Sequence, residues 1–501
     1  MSVVKYVPLS WRMKLLDVVA TVPVLRPPVW RVLNRVAHRA FIENNPRGHP
    51  VSIQEDKVAM LQAIMHTVER GLASGLIGPN VRHKLAEIYL GKIVFKPQKK
   101  RRTYLFEHGM LPPGFLTISP TARCNLRCSG CYAGCDETHR ATLPFVVFDR
   151  ILREKVELWG SHFTVISGGE PFLYYDNGHG LLDVIERHPN QFFLIYTNGT
   201  LISKTVARRL SELGNVTPAV SVEGFEEDTD DRRGKGVFKR ILSAFDNLRE
   251  EGVPYGISAT VFRHNADYML DDQHIDFYFQ RHGALYAWIF QYMPIGRGMT
   301  LDRMLTPEQR LRMYNRTWEL VRNHKLFIAD FWNCGTVSDG CIAAGGGKGG
   351  GYFYIDWNGS VTPCVFNPFT TLNVKDVFAN GGDLNTLVFS PFFRDVRQWQ
   401  KEYYHNLPVA SKGDLIAPCP VRDHYESMRE ILAGSGARPI DEDGHTVLDD
   451  AYYGQQLADY GEHYRSLADP VWEASYLRRP ASEKGYPPSP EEVANGAAHL
   501  K

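Results

Sequence analysis

Residues 124–131 read Cys124-Asn-Leu-Arg-Cys128-Ser-Gly-Cys131, which places three thiols at spacings of four and three residues. The preceding run Phe115-Leu-Thr-Ile-Ser119 is apolar and predicts a strand that ends just before the first thiol. In α/β folds the functional site lies at the carboxyl ends of the strands. Three thiolates this close in sequence are typical of a loop that ligates three irons of a [4Fe–4S] cluster and leaves the fourth iron open. A zinc site with Cys135 as the fourth ligand and a pair of redox thiols remain as alternatives.

A second motif, Ser167-Gly-Gly-Glu-Pro171, stands at the end of the next predicted strand. With the cysteine loop, this motif resembles the radical S-adenosylmethionine (SAM) superfamily. In that superfamily the cysteine loop holds a [4Fe–4S] cluster, and the amino and carboxylate groups of SAM chelate the open iron. The loop departs from the family pattern at Gly130, where an aromatic residue is common, and Tyr132 follows the third cysteine instead.

From residue 115 onward, the sequence alternates between strand and helix patterns six times, which indicates a parallel α/β fold. Six units predict a partial (β/α)6 barrel over residues 113–325, the fold that the resemblance also implies. The predicted strands are 115–119, 163–167, 192–197, 216–222, 255–261 and 285–292. The predicted helices are 148–159, 180–188, 203–213, 237–250, 271–281 and 306–325.

The ends of these strands carry polar residues that the resemblance assigns to SAM. The motif after the second strand is expected at the amino group of SAM, and its glycines allow close approach of the backbone to a ligand. Ser221 and Glu223 are expected near the ribose, and Arg233 near the carboxylate, with Arg232 as the alternative arginine. The loop Gln291 to Arg297 is expected to face the substrate. The predicted cofactor-binding residues are Gly168, Gly169, Glu170, Pro171, Asn198, Ser221, Glu223 and Arg233.

A second set of cysteines follows the predicted barrel: Cys334, Cys341, Cys364 and Cys419. The segment 352–364 reads as two short strands joined by an Asn-Gly turn. The segment resembles the SPASM and twitch extensions of radical SAM enzymes, although the dense cysteine run of a full SPASM domain is missing. The resemblance implies an auxiliary [4Fe–4S] cluster on these four cysteines, and a structural zinc site remains the alternative.

The composition indicates a globular protein: 501 residues, 44% hydrophobic, with a net charge of +1. This balance gives no field that would recruit nucleic acid, so we expect no nucleic-acid partner. Eight cysteines are too few for a disulfide scaffold in a chain this long, which favours a cytoplasmic protein. Residues 1–50 are strongly basic, with eight Lys or Arg against two acidic residues.

The flanking regions are predicted to be mostly helical. Residues 1–95 are expected to form a helical region with a basic, amphipathic start, in which helices over 10–22 and from Pro28 to Phe41 carry apolar residues at helical spacing. This start predicts either peripheral contact with the inner face of the membrane or a cap packed on the barrel. Residues 96–112 read as a basic linker, 326–430 as the auxiliary cluster domain and 431–501 as a helical docking segment with a flexible tail.

The function predicted from the resemblance is reductive cleavage of SAM to a 5′-deoxyadenosyl radical, which abstracts hydrogen from an unactivated carbon. The substrate is expected to be a peptide or a membrane lipid or isoprenoid, and the electron to come from a reductant such as ferredoxin or flavodoxin. A non-catalytic iron–sulfur carrier or scaffold is the alternative from another class.

Overall fold

The computed structural model describes residues 22–45, 49–95, 98–346, 349–405, 407 and 411–478. The predicted helix over 10–22 therefore falls almost wholly outside the described residues, and the predicted tail from Pro480 lies wholly outside them. The strands are β1 (Phe115–Ile118), β2 (Phe163–Ile166), β3 (Tyr175–Asp176), β4 (His179–Gly180), β5 (Phe192–Thr197), β6 (Val216–Val222), β7 (Gly256–Val261), β8 (Tyr286–Gln291), β9 (Phe327–Asp330), β10 (Tyr354–Ile355), β11 (Ser360–Thr362), β12 (Phe369–Thr370), β13 (Leu372–Asn373) and β14 (Arg438–Pro439).

The helices alternate with the central strands as the sequence predicts. They are α1 (Arg26–His38), α2 (Val51–Ala73), α3 (Pro79–Lys84), α4 (Gln98–His108), α5 (Phe145–Trp159), α6 (Leu181–Arg187), α7 (Lys204–Leu213), α8 (Glu226–Arg233), α9 (Val237–Glu250), α10 (Asp272–Ile275), α11 (Pro307–Arg322), α12 (Gly335–Ser338), α13 (Val374–Ala379), α14 (Leu384–Val388), α15 (Pro391–Gln400), α16 (Tyr425–Ser435), α17 (Glu442–Asp449) and α18 (Ala451–Trp472). Wider π-helical turns extend the chain over 39–43, 85–95, 276–281, 401–405 and 473–477.

One sheet of ten strands organises the molecule, in the order β13-β11-β10-β1-β2-β5-β6-β7-β8-β9. The eight strands from β10 to β9 in this order run parallel, and β11 and β13 add antiparallel pairs at one edge. The six predicted strands pair in their predicted order, which confirms the predicted α/β fold class, a partial barrel with a helical N-terminal region. The seventh barrel strand, β9, was not predicted.

Local sequence signals set the helix boundaries around the barrel. Helix α11 begins with a reciprocal capping box between Thr306 and Gln309, and Pro307 stands in its first turn. Helix α5 ends at Gly160, which takes a left-handed φ of 64° that glycine adopts at low cost. Helix α2 begins at Val51 and has Pro50 as its N-cap residue.

The N-terminal helix α1 leaves most of its apolar side chains in solvent. Val32 is 55% exposed, Val36 is 40% exposed, and Ala37 is buried. Arg31 and Arg35 are exposed on the same helix. The expectation that this apolar side packs on the barrel is therefore wrong for Val32 and Val36 in the described structure.

The segment predicted as a basic linker is largely helical. Helix α4 spans Gln98–His108, and its Tyr104 is buried against the rest of the chain. A guanidinium from the basic run, that of Arg101, donates hydrogen bonds to Pro112 O and Pro113 O, so this charge holds the chain that enters β1.

The cysteine-containing extension continues the barrel sheet. Strands β10 and β11 form the predicted hairpin, and β10 pairs in parallel with β1. An aromatic seam of Phe115, Tyr352 and Phe331 lies between the first and last barrel strands, with ring centroids 5.0 Å apart for Phe115–Tyr352 and 6.3 Å for Phe331–Tyr352. Among the described residues, we find no helix that is long and apolar enough to span a membrane.

Candidate functional site

A chamber of about 500 Å³ opens at the carboxyl ends of the barrel strands. The thiol-bearing residues Cys124, Cys128 and Cys131 line it, and so does Cys135. The loop that carries them follows β1. Its backbone folds back on itself, because the N–H of Ala122 donates to Ala141 O and the N–H of Cys124 donates to Asp136 O. Burial raises the pKa of Cys124 to about 12 and raises the pKa of Cys128, so free thiolates would be costly here without a cationic partner.

The two glycines of the motif after β2 allow close approach to the cysteine loop. A Cβ atom at Gly169 would lie 2.2 Å from Arg123 O, and one at Gly168 would lie 2.8 Å from Thr121 O. The backbone N–H of Gly169 donates to Thr121 O at 2.9 Å. Both glycines also line the chamber, where a ligand could approach their backbone as expected. Their close contact with the cysteine loop was not indicated by the sequence.

Glu170 turns its carboxylate into the protein. It accepts hydrogen bonds from Thr197 Oγ1 at 2.8 Å, from the backbone N–H of Asn198 at 2.8 Å and from that of Phe172 at 3.2 Å. Burial raises the pKa of Glu170 to about 7 although these donors oppose the shift. Neither Glu170 nor Pro171 is among the residues that line the chamber, so in this structure Glu170 ties the end of β2 to the end of β5.

Asn198, at the end of β5, lies beside the first cysteine. Its Nδ2 donates to Asn125 Oδ1 at 2.9 Å and is 4.0 Å from Cys124 Sγ. Its Oδ1 accepts from the hydroxyl and backbone N–H of Thr200. This predicted residue therefore lines the chamber and also orients the cysteine loop.

At the end of β6, one buried carboxylate pairs with two arginines. Glu223 binds the guanidinium groups of both Arg232 and Arg233, and these two arginines line the chamber while Glu223 does not. Burial raises the pKa of Glu223, but the two arginines lower it by more, so that the net shift is downward. The wall beside Cys128 and Ser221 therefore carries one excess positive charge, which suits a carboxylate ligand.

Arg297, predicted to face substrate, holds the cysteine loop instead. Its guanidinium donates to Cys128 O at 3.1 Å, Gly134 O at 2.7 Å, Cys135 O at 3.0 Å and Asp136 Oδ2 at 2.9 Å. Its backbone N–H donates to Cys131 O at 3.0 Å. Gln291 at the start of the same segment does line the chamber.

The second cysteine set reaches the same chamber. Burial raises the pKa of Cys364, and the nearby thiolates of Cys419 and Cys341 raise it further. These three cysteines therefore lie close together on the chamber. The pKa of Cys334 is also raised, by burial and then by the carboxylates of Asp330 and Asp56. Its backbone N–H donates to Asp330 O. The structure thus groups three of the four cysteines and places Cys334 beside Asp330.

Asp330 and the aromatic residues near it are the part of the site that sequence reasoning missed. Asp330 ends β9, is fully buried and accepts hydrogen bonds from Gln291 Nε2 at 3.1 Å and Asn333 Nδ2 at 2.9 Å. Trp332 and Phe366 pack beside it with ring centroids 4.9 Å apart. Recognising 327–330 as a seventh strand would have placed its carboxyl end at the site.

The donor set fits an iron–sulfur cluster. Three thiols from one loop open on one chamber, and Arg232 and Arg233 lower the pKa of Cys128 against the effect of burial. Among the described residues, no three Cys, His, Asp or Glu side chains are close enough to share a single metal ion. Thiols on a cubane bind different irons and are therefore held farther apart than the ligands of one ion.

Comparison with known proteins finds a superfamily match over part of the chain. Residues 118–273 match the model of the radical SAM superfamily. The chain is 30% identical to the Fe-coproporphyrin III synthase of Methanosarcina barkeri over 171 residues, which is 34% of this chain and 42% of the relative. It is 29% identical to the mycofactocin maturase MftC of Mycolicibacterium smegmatis over 303 residues, which is 59% of this chain and 75% of the relative.

A solved structure shares the fold. SuiB of Streptococcus suis bound to S-adenosylmethionine superposes with a TM-score of 0.50 at 19% identity, covering 65% of this chain and 78% of that one. Residues 118–273 therefore carry a radical SAM domain, and the cofactors of that superfamily are a [4Fe–4S] cluster and SAM. It is similar to enzymes, and it spans less than half of the first relative's length.

Proposed function

We propose that the chain reductively cleaves SAM and abstracts a hydrogen atom from an unactivated carbon of a substrate. The observation that carries the proposal is that Cys124, Cys128 and Cys131 open into the same mostly apolar chamber as Ser221 and Arg233. Bound there, the cluster and SAM would supply an electron and a 5′-deoxyadenosyl radical. The alternative of a non-catalytic carrier would leave these polar residues and the chamber without a task.

Most of the predicted site residues then have a place in the proposal. Cys124, Cys128 and Cys131 would hold the cluster, and Ser221 would face the ribose of SAM. Arg233 would bind the carboxylate of SAM, because it and Arg232 share a single counter-ion in Glu223. Glu170 and Asn198 would act through the loops that they hold, and the aromatic walls would keep water from the reactive carbon.

An auxiliary [4Fe–4S] cluster that passes electrons is proposed on Cys341, Cys364 and Cys419 of the second cysteine set, with a reductant such as ferredoxin or flavodoxin as partner. Support comes from the grouping of Cys341, Cys364 and Cys419 on the same chamber. The substrate is proposed to be a peptide or a membrane lipid. A peptide is favoured by two relatives that are named as maturation proteins, MftC and SkfB of Bacillus subtilis, and by the structure of SuiB bound to its precursor peptide SuiA.

The test is SAM cleavage by the anaerobically reconstituted protein with dithionite. We expect about eight iron atoms per chain, four for each cluster, and release of 5′-deoxyadenosine. Changing Cys124, Cys128 and Cys131 to Ala should abolish 5′-deoxyadenosine and leave about half of the iron. A matched variant in which Cys135 alone is Ala should keep both; 5′-deoxyadenosine from the triple variant would refute the proposal.

A further inference from the structure

The chamber continues from the cysteine loop down the inside of the barrel. Alternate residues of successive strands face it, as the two-residue period of a strand requires. These include Phe115 and Thr117 of β1, Phe163 and Val165 of β2, and Phe327 and Ala329 of β9. Because Phe115, Phe163 and Phe327 are the first residues of their strands, the chamber reaches the amino-terminal end of the barrel.

Helix α2 forms the far end of this space. Met60 and Ile64, one helical turn apart on α2, line the chamber there. Met60 is 6% exposed, so its side chain is packed inside rather than in solvent. We call the part of the chamber that extends from the thiols past Leu194 and Trp288 to Met60 and Ile64 the slot.

Few charged groups face this slot. Among the described residues that line it, the charged ones are Arg232, Arg233 and Asp330. The two arginines lie at the thiol end and are bonded to Glu223. Asp330 already accepts from two side-chain amides and from the backbone N–H of Trp332 at 2.9 Å.

We propose that the slot binds a single long hydrocarbon chain, the acyl or isoprenoid chain of a lipid, with the carbon that reacts near the thiol end. This inference rests on the proposed function and names its substrate class. A peptide in the slot would bury backbone N–H and C=O groups, and the middle of the slot offers them only a few hydroxyls such as those of Thr117, Ser258 and Thr260. A tetrapyrrole would bring several carboxylates to walls that hold no spare cation beyond the Arg232–Arg233 pair.

The geometry also assigns a role to α2. Met60 and Ile64 close the slot opposite the reactive end, so they set how much of a chain fits between that end and the reacting carbon. They are specificity-determining residues for chain length. Replacing either by Trp shortens the slot, and each methylene excluded from an apolar site lowers affinity several-fold.

The experiment measures binding of cis-parinaric acid, a fatty acid that fluoresces in apolar surroundings, to the reconstituted protein with SAM. We expect wild-type binding that hexadecanol or geranylgeraniol displaces and that an apolar hexapeptide does not. Met60→Trp and Ile64→Trp should each weaken binding by about tenfold or more. His66→Trp is the matched control, since His66 is exposed on the same helix, and it should bind as wild type does.

Three results would overturn the inference: no binding by wild type, equal affinity in wild type and both slot variants, or displacement by the peptide but not by the alcohols. Two slot variants are used so that failure of one to fold leaves the other. The displacement measurement on wild type needs no variant at all. Release of 5′-deoxyadenosine by the same wild-type preparation is measured separately, so loss of the lipid result alone leaves the proposed function intact.

Discussion

Glu170 keeps its carboxylate inside the protein, where donors from Thr197, Asn198 and Phe172 surround it. Burial nevertheless raises its pKa from 4.5 to about 7. A carboxyl whose folded pKa is raised holds its proton more tightly in the folded chain than in the unfolded one. Its contribution to stability is therefore full below pH 4.5 and is lost as the pH rises through about 7.

This residue predicts a pH dependence of stability for the iron-free protein. Between pH 4.5 and 7, the free energy of unfolding of wild type should fall by about 3 kcal/mol relative to Glu170→Gln, which has no proton to lose. Urea unfolding of both proteins across this range measures the difference. Glu226→Gln, at an exposed position of α8, is the control and should follow wild type. A constant difference between wild type and Glu170→Gln would contradict the raised pKa.

The four later cysteines differ in their surroundings, which predicts different effects of their loss. Cys364 lies with Cys341 and Cys419, whereas Cys334 lies beside Asp330. Cys364→Ala should reduce iron to about four atoms per chain, and Cys334→Ala should leave about eight. Iron analysis with Mössbauer spectra of the reconstituted variants distinguishes the two. Equal iron loss would make Cys334 a ligand, and zinc in place of iron would favour the structural zinc site.

At the scale of elements, the loop after β8 supports the loop after β1. The guanidinium of Arg297 bonds to three carbonyls and one carboxylate of the cysteine loop, and a Cβ atom at Gly296 would lie 2.2 Å from Cys131 O. A planar fork can bond several oxygens at once, whereas a lysine ammonium is a point charge. The segment from Gln291 to Arg297 thus has two roles: Gln291 lines the chamber, and Arg297 binds the cysteine loop.

The hydrogen bonds from Arg297 to the cysteine loop predict that Arg297→Lys weakens retention of the cluster, although the charge is kept. We expect iron loss to a chelator to be at least several times faster than in wild type, because some loop carbonyls lose their donors. The decay of cluster absorbance under anaerobic chelation measures it. Arg281→Lys changes an exposed arginine in a surface ion pair and should leave the decay unchanged. Identical decay in wild type and Arg297→Lys would remove the positioning role.

Sequence patterns predict the elements well and their partners less well. The six strands are apolar runs bounded by turn residues, and the Asn358-Gly359 turn marks the β10–β11 hairpin, so local rules suffice for both. The pairing of β10 with β1 joins segments more than 200 residues apart, and no local pattern encodes it. Asp330 was not predicted for the same reason: its strand β9 is short, and its pairing with β8 is visible only in the folded chain.

The roles of Glu170 and Arg297 show a similar limit at the site. Their residue types and positions at strand ends marked them as functional, yet each bonds to a neighbouring loop in the folded chain. Whether a polar side chain at a strand end meets a ligand or another loop depends on rotamers and loop paths. Those are set by packing, which the sequence of one loop does not contain.

At the scale of the whole molecule, the barrel, its extension and the N-terminal helices form one structure around the chamber. Helix α2 closes the far end of the chamber through Met60 and Ile64, and Asp56 of the same helix pairs with Arg322 of α11. Tyr476, beyond α18, donates to Asp56 Oδ2 at 2.8 Å. The N-terminal and C-terminal regions therefore meet behind the barrel, while α1 exposes Val32 and Val36 to solvent.

Helix α1 predicts reversible attachment to anionic membranes. Arg31, Arg35 and Arg39 follow one another at four-residue spacing and are exposed, and Val32 and Val36 beside them are exposed as well. Each basic residue near an anionic bilayer contributes about 1 kcal/mol, so a variant with all three arginines changed to Gln should lose about 3 kcal/mol of binding. Wild-type binding should weaken with salt, because screening reduces the charge contribution and leaves the apolar one.

Co-sedimentation with phosphatidylserine vesicles, at low and physiological salt, measures this attachment. The matched control changes three exposed arginines of the barrel helices, Arg153, Arg208 and Arg240, to Gln and so removes the same total charge. If attachment depends on α1, the control sediments with the vesicles as wild type does while the α1 variant stays in solution. Equal loss in both variants would mean that net charge alone drives binding. Equal sedimentation of all three proteins would show that α1 is not the contact, and the exposed Val32 and Val36 would then need another partner.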